Sequence, residues 1–242
     1  MEDIKNKSQE EIIEMFNNIA KTYDLANRIL SLGIDKTWRK KACNKAFSLY
    51  NHSHLTRIVD VACGTGDLMI DWKNIAAKNG IILDEIVGID PSVGMMEVGK
   101  TKIQDGNFIE AGAENMPLED GSADIISISY GIRNVHKRKE AWDEFARILK
   151  PNGLAVILEF TKNDKDDFGA NLTKFYMNKM MPHIGGLVSG SKDAYTYLPE
   201  SIENFITTKK MREELEEAGL KPIFVQGYSM DMSTTIIARK IS

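Results

Sequence analysis

A chain of 242 residues with 43% hydrophobic content can bury a sizeable core and falls in the range of one α/β domain. Its net charge of -4, with lysines and arginines mixed among acids, excludes general nucleic-acid binding, which asks for a basic face. Two cysteines, Cys43 and Cys63, make neither a disulfide framework nor a zinc site and suit a reduced, cytoplasmic setting.

Residues 1–14 are rich in Asp, Glu, Lys and Gln and lack the apolar core of an export signal. No later stretch reaches the ~18 to 20 apolar residues of a spanning helix. A protein that is soluble, or bound at most to the inner membrane surface, is expected. Helices fill the chain to about Leu49. The unit from 57 to 90 carries the most information. Ile58, Val59 and Val61 are β-branched or apolar, as a buried strand requires, and run into the turn Cys63-Gly64-Thr65-Gly66, where glycines permit close backbone approach to a ligand. A helix over 67–78 follows, then a second strand Ile86-Val87-Gly88-Ile89 ending at Asp90, an acid suited to a ribose diol. Asp60, just before the turn, is a carboxylate that is expensive to bury without a partner. A dinucleotide fingerprint would place a third glycine at Met69. Its absence, with Asp60 ahead of the turn, favours S-adenosyl-L-methionine over a nicotinamide or flavin cofactor.

The alternation continues. Ser92 caps a helix through Met95, Met96 and Val98, and Asn107-Phe108-Ile109-Glu110 forms a third strand. Gly112 and Ala113 open a loop whose small residues let an adenine ring approach. The fourth strand, 123–129, ends at Ser129, on the edge of the pocket, and delivers Tyr130-Gly131-Ile132-Arg133-Asn134 beyond the carboxyl ends of the strands, where ligands lie in open α/β sheets. A helix over 139–149 is stopped by Lys150-Pro151-Asn152-Gly153, and a fifth strand runs from 154 to 160. A helix over 210–218 stops at Gly219, and 221–228 with 234–239 form a final antiparallel edge pair. Seven strands in this order predict a class I S-adenosylmethionine-dependent methyltransferase: Rossmann-like, mostly parallel, and a single domain with an N-terminal helical cap (1–50) and a helical lid insertion (162–205).

Several segments are more specific. Phe16-Asn17-Asn18-Ile19-Ala20-Lys21-Thr22-Tyr23-Asp24, Asn27, Leu30-Ser31-Leu32-Gly33 and Trp38-Arg39 resemble the N-terminal signature of the UbiE/MenG family of ubiquinone and menaquinone biosynthesis methyltransferases. The run from Arg147 through Pro151-Asn152-Gly153 to Leu158-Glu159-Phe160 is similar to its second signature. Gly131-Ile132-Arg133-Asn134-Val135, Met181-Pro182-His183-Ile184-Gly185 and Tyr195-Thr196-Tyr197-Leu198-Pro199-Glu200-Ser201-Ile202 resemble further stretches. Departures are Asp35 where the signature usually has histidine, Asn152 for a glycine, and the tail Met232-Ser233-Thr234-Thr235, which lacks a histidine.

The resemblance implies methyl transfer from S-adenosyl-L-methionine to a ring carbon of a polyprenylated quinol, such as demethylmenaquinol, without a metal. Asp60, Gly64, Thr65 and Gly66 are expected to hold the methionine end, Asp90 the ribose, Gly112 and Ala113 the adenine side, and Ser129 the pocket edge. Tyr23 either closes over the cofactor or packs as a core aromatic. Arg133 and Asn134 are the catalytic candidates: the guanidinium would stabilise a developing phenolate or orient a water, unless it is spent in a surface ion pair. His183 is read as structural. The insertion carries Phe168, Leu172, Phe175, Tyr176, Met177, Met180 and Met181 on one helical face, either a greasy lid with peripheral membrane contact or a face packed on the sheet. A homodimer is one reading of the assembly. A methyltransferase acting on another small phenol or lipid, and a non-catalytic cofactor-binding assembly protein, are the competing functions.

Overall fold

The computed structural model describes residues 7–162 and 192–241; the expected lid helix across 168–181 and His183 lie outside the described residues. The first helix, α1 (Gln9–Leu30), starts where Ser8 and Glu11 cap one another: the Glu11 N–H donates to the Ser8 hydroxyl at 3.2 Å, and the Ser8 N–H donates to the Glu11 carboxylate at 2.6 Å. Leu32 and Gly33, both left-handed with φ of 51° and 75°, turn the chain into α2 (Ile34–Tyr50).

Alternating elements follow: β1 (His54–Val61), α3 (Asp67–Lys78), β2 (Ile82–Asp90), α4 (Val93–Lys102), β3 (Asn107–Glu110), β4 (Ala123–Ser129), a 3-10 turn (Ile132–Asn134), α5 (Arg138–Ile148), β5 (Leu149–Glu159), α6 (Lys192–Glu203), α7 (Thr208–Glu217), β6 (Leu220–Tyr228) and β7 (Ser233–Lys240). They build a seven-stranded sheet in the order β3-β2-β1-β4-β5-β7-β6, in which only β7 runs against its neighbours. The strands at its centre are apolar on both sides because both faces are covered. Trp72, Phe47 and Met69 of α3 and α2 fill one face, and Trp142, Phe145 and Met211 of α5 and α7 fill the other. Both indoles are fully buried, and removing either would cost roughly 3–5 kcal/mol. α1 and α6 pack on each other through a smaller core of Ile12, Met15, Ile19, Ala26, Leu30 and Tyr197.

Several element boundaries differ from the sequence reading, most of all at β2 and β5. β2 starts at Ile82 rather than Ile86, because its first four residues, though partly exposed, pair in register with β1 from His54 onward. Pro151-Asn152-Gly153 is not a loop between helix and strand. β5 leaves α5 directly at Leu149, and Asn152, at φ 64°, sits inside a register shift against β4 between Ala123 and Ile125. Asn tolerates that left-handed geometry, so turn chemistry is absorbed as a bulge. β6 and β7 form the expected antiparallel pair at the sheet edge, with β7 against β5 and β6 outermost.

Candidate active site

The strand order reverses between β1 and β4, and the cleft at that switch point holds the site. Each of the two strands ends in a strained residue. Ala62 has φ 49° and Tyr130 φ 56°, left-handed backbone that costs a non-glycine residue roughly 1–2 kcal/mol. The strain brings the two strand ends together so tightly that a Cβ on Gly131 would stand 2.5 Å from the Ala62 Cβ.

Gly64 and Gly66 are both left-handed, at φ 54° and 77°, and aim the turn's backbone toward Asp90. The Gly64 N–H donates to one Asp90 oxygen and the Ser92 N–H to the other, both at 2.8 Å. Burial pushes the Asp90 carboxyl up to about 6, against the pull of those two N–H groups. The missing third glycine has a compensation on the neighbouring strand: a Cβ on Gly88 would lie 2.7 Å from the Met69 sulfur, so Gly88 makes the room that lets α3 pack closely.

Asp60 is 1% exposed and accepts one hydrogen bond at 2.7 Å from Ser127, whose hydroxyl accepts in turn from the Trp72 indole at 3.0 Å. Burial pushes Asp60 up to about 7; Ser127 pulls down, and the nearby Asp90 adds to the rise. Asp60 lines the cavity beside the glycine turn with Asp90 behind it, a setting suited to a cation.

The opposite wall is cationic and aromatic. The Arg133 guanidinium pairs with Glu159 at 2.7 Å with both side chains buried, donates to the Tyr130 carbonyl at 2.5 Å, and lies 5.7 Å from the Phe160 ring. Burial opposes the charge on Arg133, but Glu159, Tyr23 and Tyr197 around it together more than offset burial and hold the guanidinium above its usual range. Burial pushes the Glu159 carboxyl up as well, against the pull of Arg133 and of the Phe160 N–H at 2.8 Å. The ion pair foreseen for Arg133 therefore exists, though in the interior. Asn134 accepts from the Tyr197 hydroxyl at 3.0 Å, which ties the strand-end turn to α6. The Ser129 hydroxyl is buried, lines the cleft and has no hydrogen-bond partner among the described residues.

α1 and α2 close the top. Thr65 donates to Asp24 at 2.6 Å, and the Asn17 side-chain oxygen accepts from Ser92 Oγ and from the Gly94 N–H, each at 2.8 Å, so α1 also completes the cap of α4. Arg39 reaches Asp35, Asp67 and Asp71 at 2.6, 3.1 and 3.0 Å, and Lys102 bridges Asp24 and Asp67 at 2.8 Å each. Asp35, where the resembled family usually has histidine, is an acid held low despite burial by Ser31, Arg39 and Arg28.

Of the expected residues, Asp60, Gly64, Thr65, Ser129, Arg133 and Tyr23 line one cavity. Asp90 stands behind Gly64, and Gly66 packs toward Ile103 and Phe108. Asn134 sits behind Arg133. Ala113 lies in the core against β4 and Met116, and Gly112 abuts Glu114; neither lines that cavity. Sequence reasoning missed Asn17, Asp24, Arg39, Ser127 and Tyr130. Asn17, Asp24, Arg39 and Tyr130 all lie within the segments singled out above, but nothing in their spacing announced partners so distant in the chain.

An orphaned buried hydroxyl, a glycine turn against an acid, and a second acid primed to pair with a cation fit the sulfonium and ammonium of adenosylmethionine better than a pyrophosphate. Fold and site together define a class I S-adenosylmethionine-dependent methyltransferase. A solved SAM-dependent methyltransferase of Thermotoga maritima shares the fold, with a TM-score of 0.61 at 19% identity, covering 94% of this chain and 99% of that one. The chain belongs to the ubiE/COQ5 methyltransferase family, whose model matches residues 2–240. It is 50% identical to the ubiquinone/menaquinone biosynthesis C-methyltransferase UbiE of Campylobacter jejuni over 97% of this chain and 100% of that one. It is also 35% identical to the demethylmenaquinone methyltransferase of Thermotoga maritima, covering 90% of this chain and 91% of that one.

Proposed function

We propose that the protein methylates a ring carbon of a polyprenylated hydroquinone, converting demethylmenaquinol to menaquinol. The observation that carries this reading is the mixed lining of the cavity at the switch point: Asp60 and the glycine turn, the buried Arg133 with Tyr130 and Phe160, and apolar Met15, Phe16 and Ile19 of α1. The names of the relatives support it: one is a demethylmenaquinone methyltransferase and the other a C-methyltransferase of ubiquinone and menaquinone biosynthesis.

Bound adenosylmethionine supplies the methyl group. Asp60, Gly64 and Thr65 hold its methionine end, Asp90 and Gly66 the ribose side of the turn, and Ser129 the pocket edge. Gly112 and Ala113, which stand outside the cavity lining, are assigned to the adenine side by their place in the loop after β3, and Tyr23 closes over the cofactor. Arg133 stabilises the phenolate that makes the neighbouring ring carbon nucleophilic, and Asn134 fixes the loop that carries it. A carbon–sulfur bond breaks, a carbon–carbon bond forms, and the ring proton leaves as the ring regains aromaticity. We read the chain as a single catalytic domain in which residues 1–50 cap the sheet. Among the described residues no helix is long and apolar enough to cross a membrane, and we place the enzyme at the cytoplasmic face.

Mass spectrometry of quinols extracted after incubation with adenosylmethionine tests the assignment. A gain of one methyl on demethylmenaquinol supports it. A gain only on a demethylated ubiquinol precursor moves the acceptor, and no gain on either, with cofactor binding confirmed by calorimetry, overturns it. In the same assay Arg133→Lys keeps the charge beside Glu159 but loses the planar fork; turnover should fall roughly a hundredfold with cofactor affinity nearly unchanged.

A further inference from the structure

We infer that the corner joining α1 to α2 is a membrane-docking surface that seats the mouth of the cavity on an anionic bilayer. Leu25, Ile29, Leu32 and Ile34 are 58%, 39%, 90% and 43% exposed. The first three are spaced four and three residues apart, so they share one face of the end of α1 and its turn, and Ile34 opens α2 directly beyond. Water gains nothing from such a cluster, and single scattered apolar residues do not explain four within ten positions.

What covers it is read from charge. α2 carries exposed Lys36, Lys40 and Lys41, while its single acid, Asp35, is buried and consumed by Arg28, Arg39 and Ser31. Lys21, one turn before Leu25, is exposed as well. The corner is thus cationic in a chain whose net charge is -4. Apolar side chains ringed by flexible lysines match the interface of an anionic bilayer, where the ammonium groups reach headgroups and the apolar groups enter the acyl boundary.

The same corner is continuous with the site. Asn27, Leu30 and Ser31, interleaved with the exposed residues, line the cavity. A lipid-soluble acceptor then passes from bilayer to cavity without crossing water; this step rests on the quinol reading above. Docking itself does not.

Flotation with vesicles of phosphatidylethanolamine and phosphatidylglycerol, against vesicles of phosphatidylcholine alone, tests the inference. The variant is Leu25→Gln/Ile29→Gln/Leu32→Asn, in which glutamine keeps helix propensity and asparagine tolerates the left-handed turn. The wild type should float with the anionic vesicles and lose about tenfold in affinity for the neutral ones. The triple variant should float with neither, while its melting temperature, its adenosylmethionine affinity and its turnover of a soluble short-chain quinol without vesicles stay at wild-type levels.

A triple variant that floats like the wild type, or a wild type that fails to float, overturns the docking surface even if quinol turnover persists. A wild-type dimer that becomes a monomer in the variant, without flotation, also overturns it and makes the corner an interface between copies. Flotation as expected with no turnover of any quinol would remove the functional reading and leave the docking surface standing.

Discussion

Asp60 shows how one buried side chain sets opposing pH dependences on stability and binding. Its carboxyl titrates near 3.8 in the unfolded chain and is pushed up to about 7 in the fold by burial. The folded state therefore keeps a proton that the unfolded state has released. The stability this proton contributes is fully present below pH 3.8 and is lost as pH rises through about 7. The cofactor's cationic end asks for the opposite state, the carboxylate. Between about pH 5 and pH 8 the melting temperature of the ligand-free protein should therefore fall while cofactor affinity rises, with a proton released on binding at the acid end. Calorimetry across that range in buffers of different ionisation enthalpy measures both. Asp90, raised to about 6, titrates alongside, so the observed midpoints belong to the pair. Asp60→Asn should weaken binding roughly tenfold or more and flatten the upper limb of the profile. An unchanged affinity profile in that variant would mean that Asp60 does not meet the cation.

The crossover between β1 and β4 is decided by a contact rather than by a side chain's chemistry. Gly131 is excluded from every other residue type by the Ala62 methyl, since even an alanine there would place two carbons 2.5 Å apart. Gly131→Ala should push the Tyr130–Arg133 turn outward and weaken both cofactor binding and turnover. Adding Ala62→Gly, which is also easier at φ 49°, should recover most of the loss. Four binding constants from this double-mutant cycle isolate the coupling, and strict additivity of the two changes would count against the steric account. The contact also marks the limit of what was legible beforehand. α3, β3 and β4 match the sequence reading residue for residue, because period-two and period-3.6 patterns bounded by glycine and serine are local signals. The glycine turn and Asp60 were legible for the same reason. The Thr65–Asp24 and Ser92–Asn17 bonds span 41 and 75 residues, and no spacing rule reports them. Asn152 misled because a Pro-Asn-Gly run reads as a loop unless the neighbouring strand is known to accommodate a bulge.

At the scale of the whole molecule, the site is built from two bodies of unequal stability. The sheet is buried on both faces between helices that carry the large aromatics, whereas α1 is held by a small apolar core and by polar links to α3 and α4. Arg28, paired with Asp35 and Asp67, and Asp24, paired with Lys102, supply much of the attachment. Partly exposed ion pairs contribute little each and are screened by salt, so α1 should open at a free energy below that of global unfolding. Opening exposes the cavity, since Phe16, Ile19, Tyr23 and Asn27 form its α1 wall. A ligand that touches both bodies must then couple them. In hydrogen exchange, α1 amides of the ligand-free protein should exchange well before those of β1 and β4, and faster in high salt. With adenosylmethionine at a hundred times its Kd, their opening free energy should rise by about 2.7 kcal/mol, while the already slower sheet amides change only where global unfolding governs them. If α1 exchanged with the sheet in the absence of ligand, the two-body description would fail and the cap would be a fixed wall. If α1 exchanged early but ignored the ligand, the cofactor would be held by the sheet ends alone, and Tyr23 and Asp24 would have no part in closing the site.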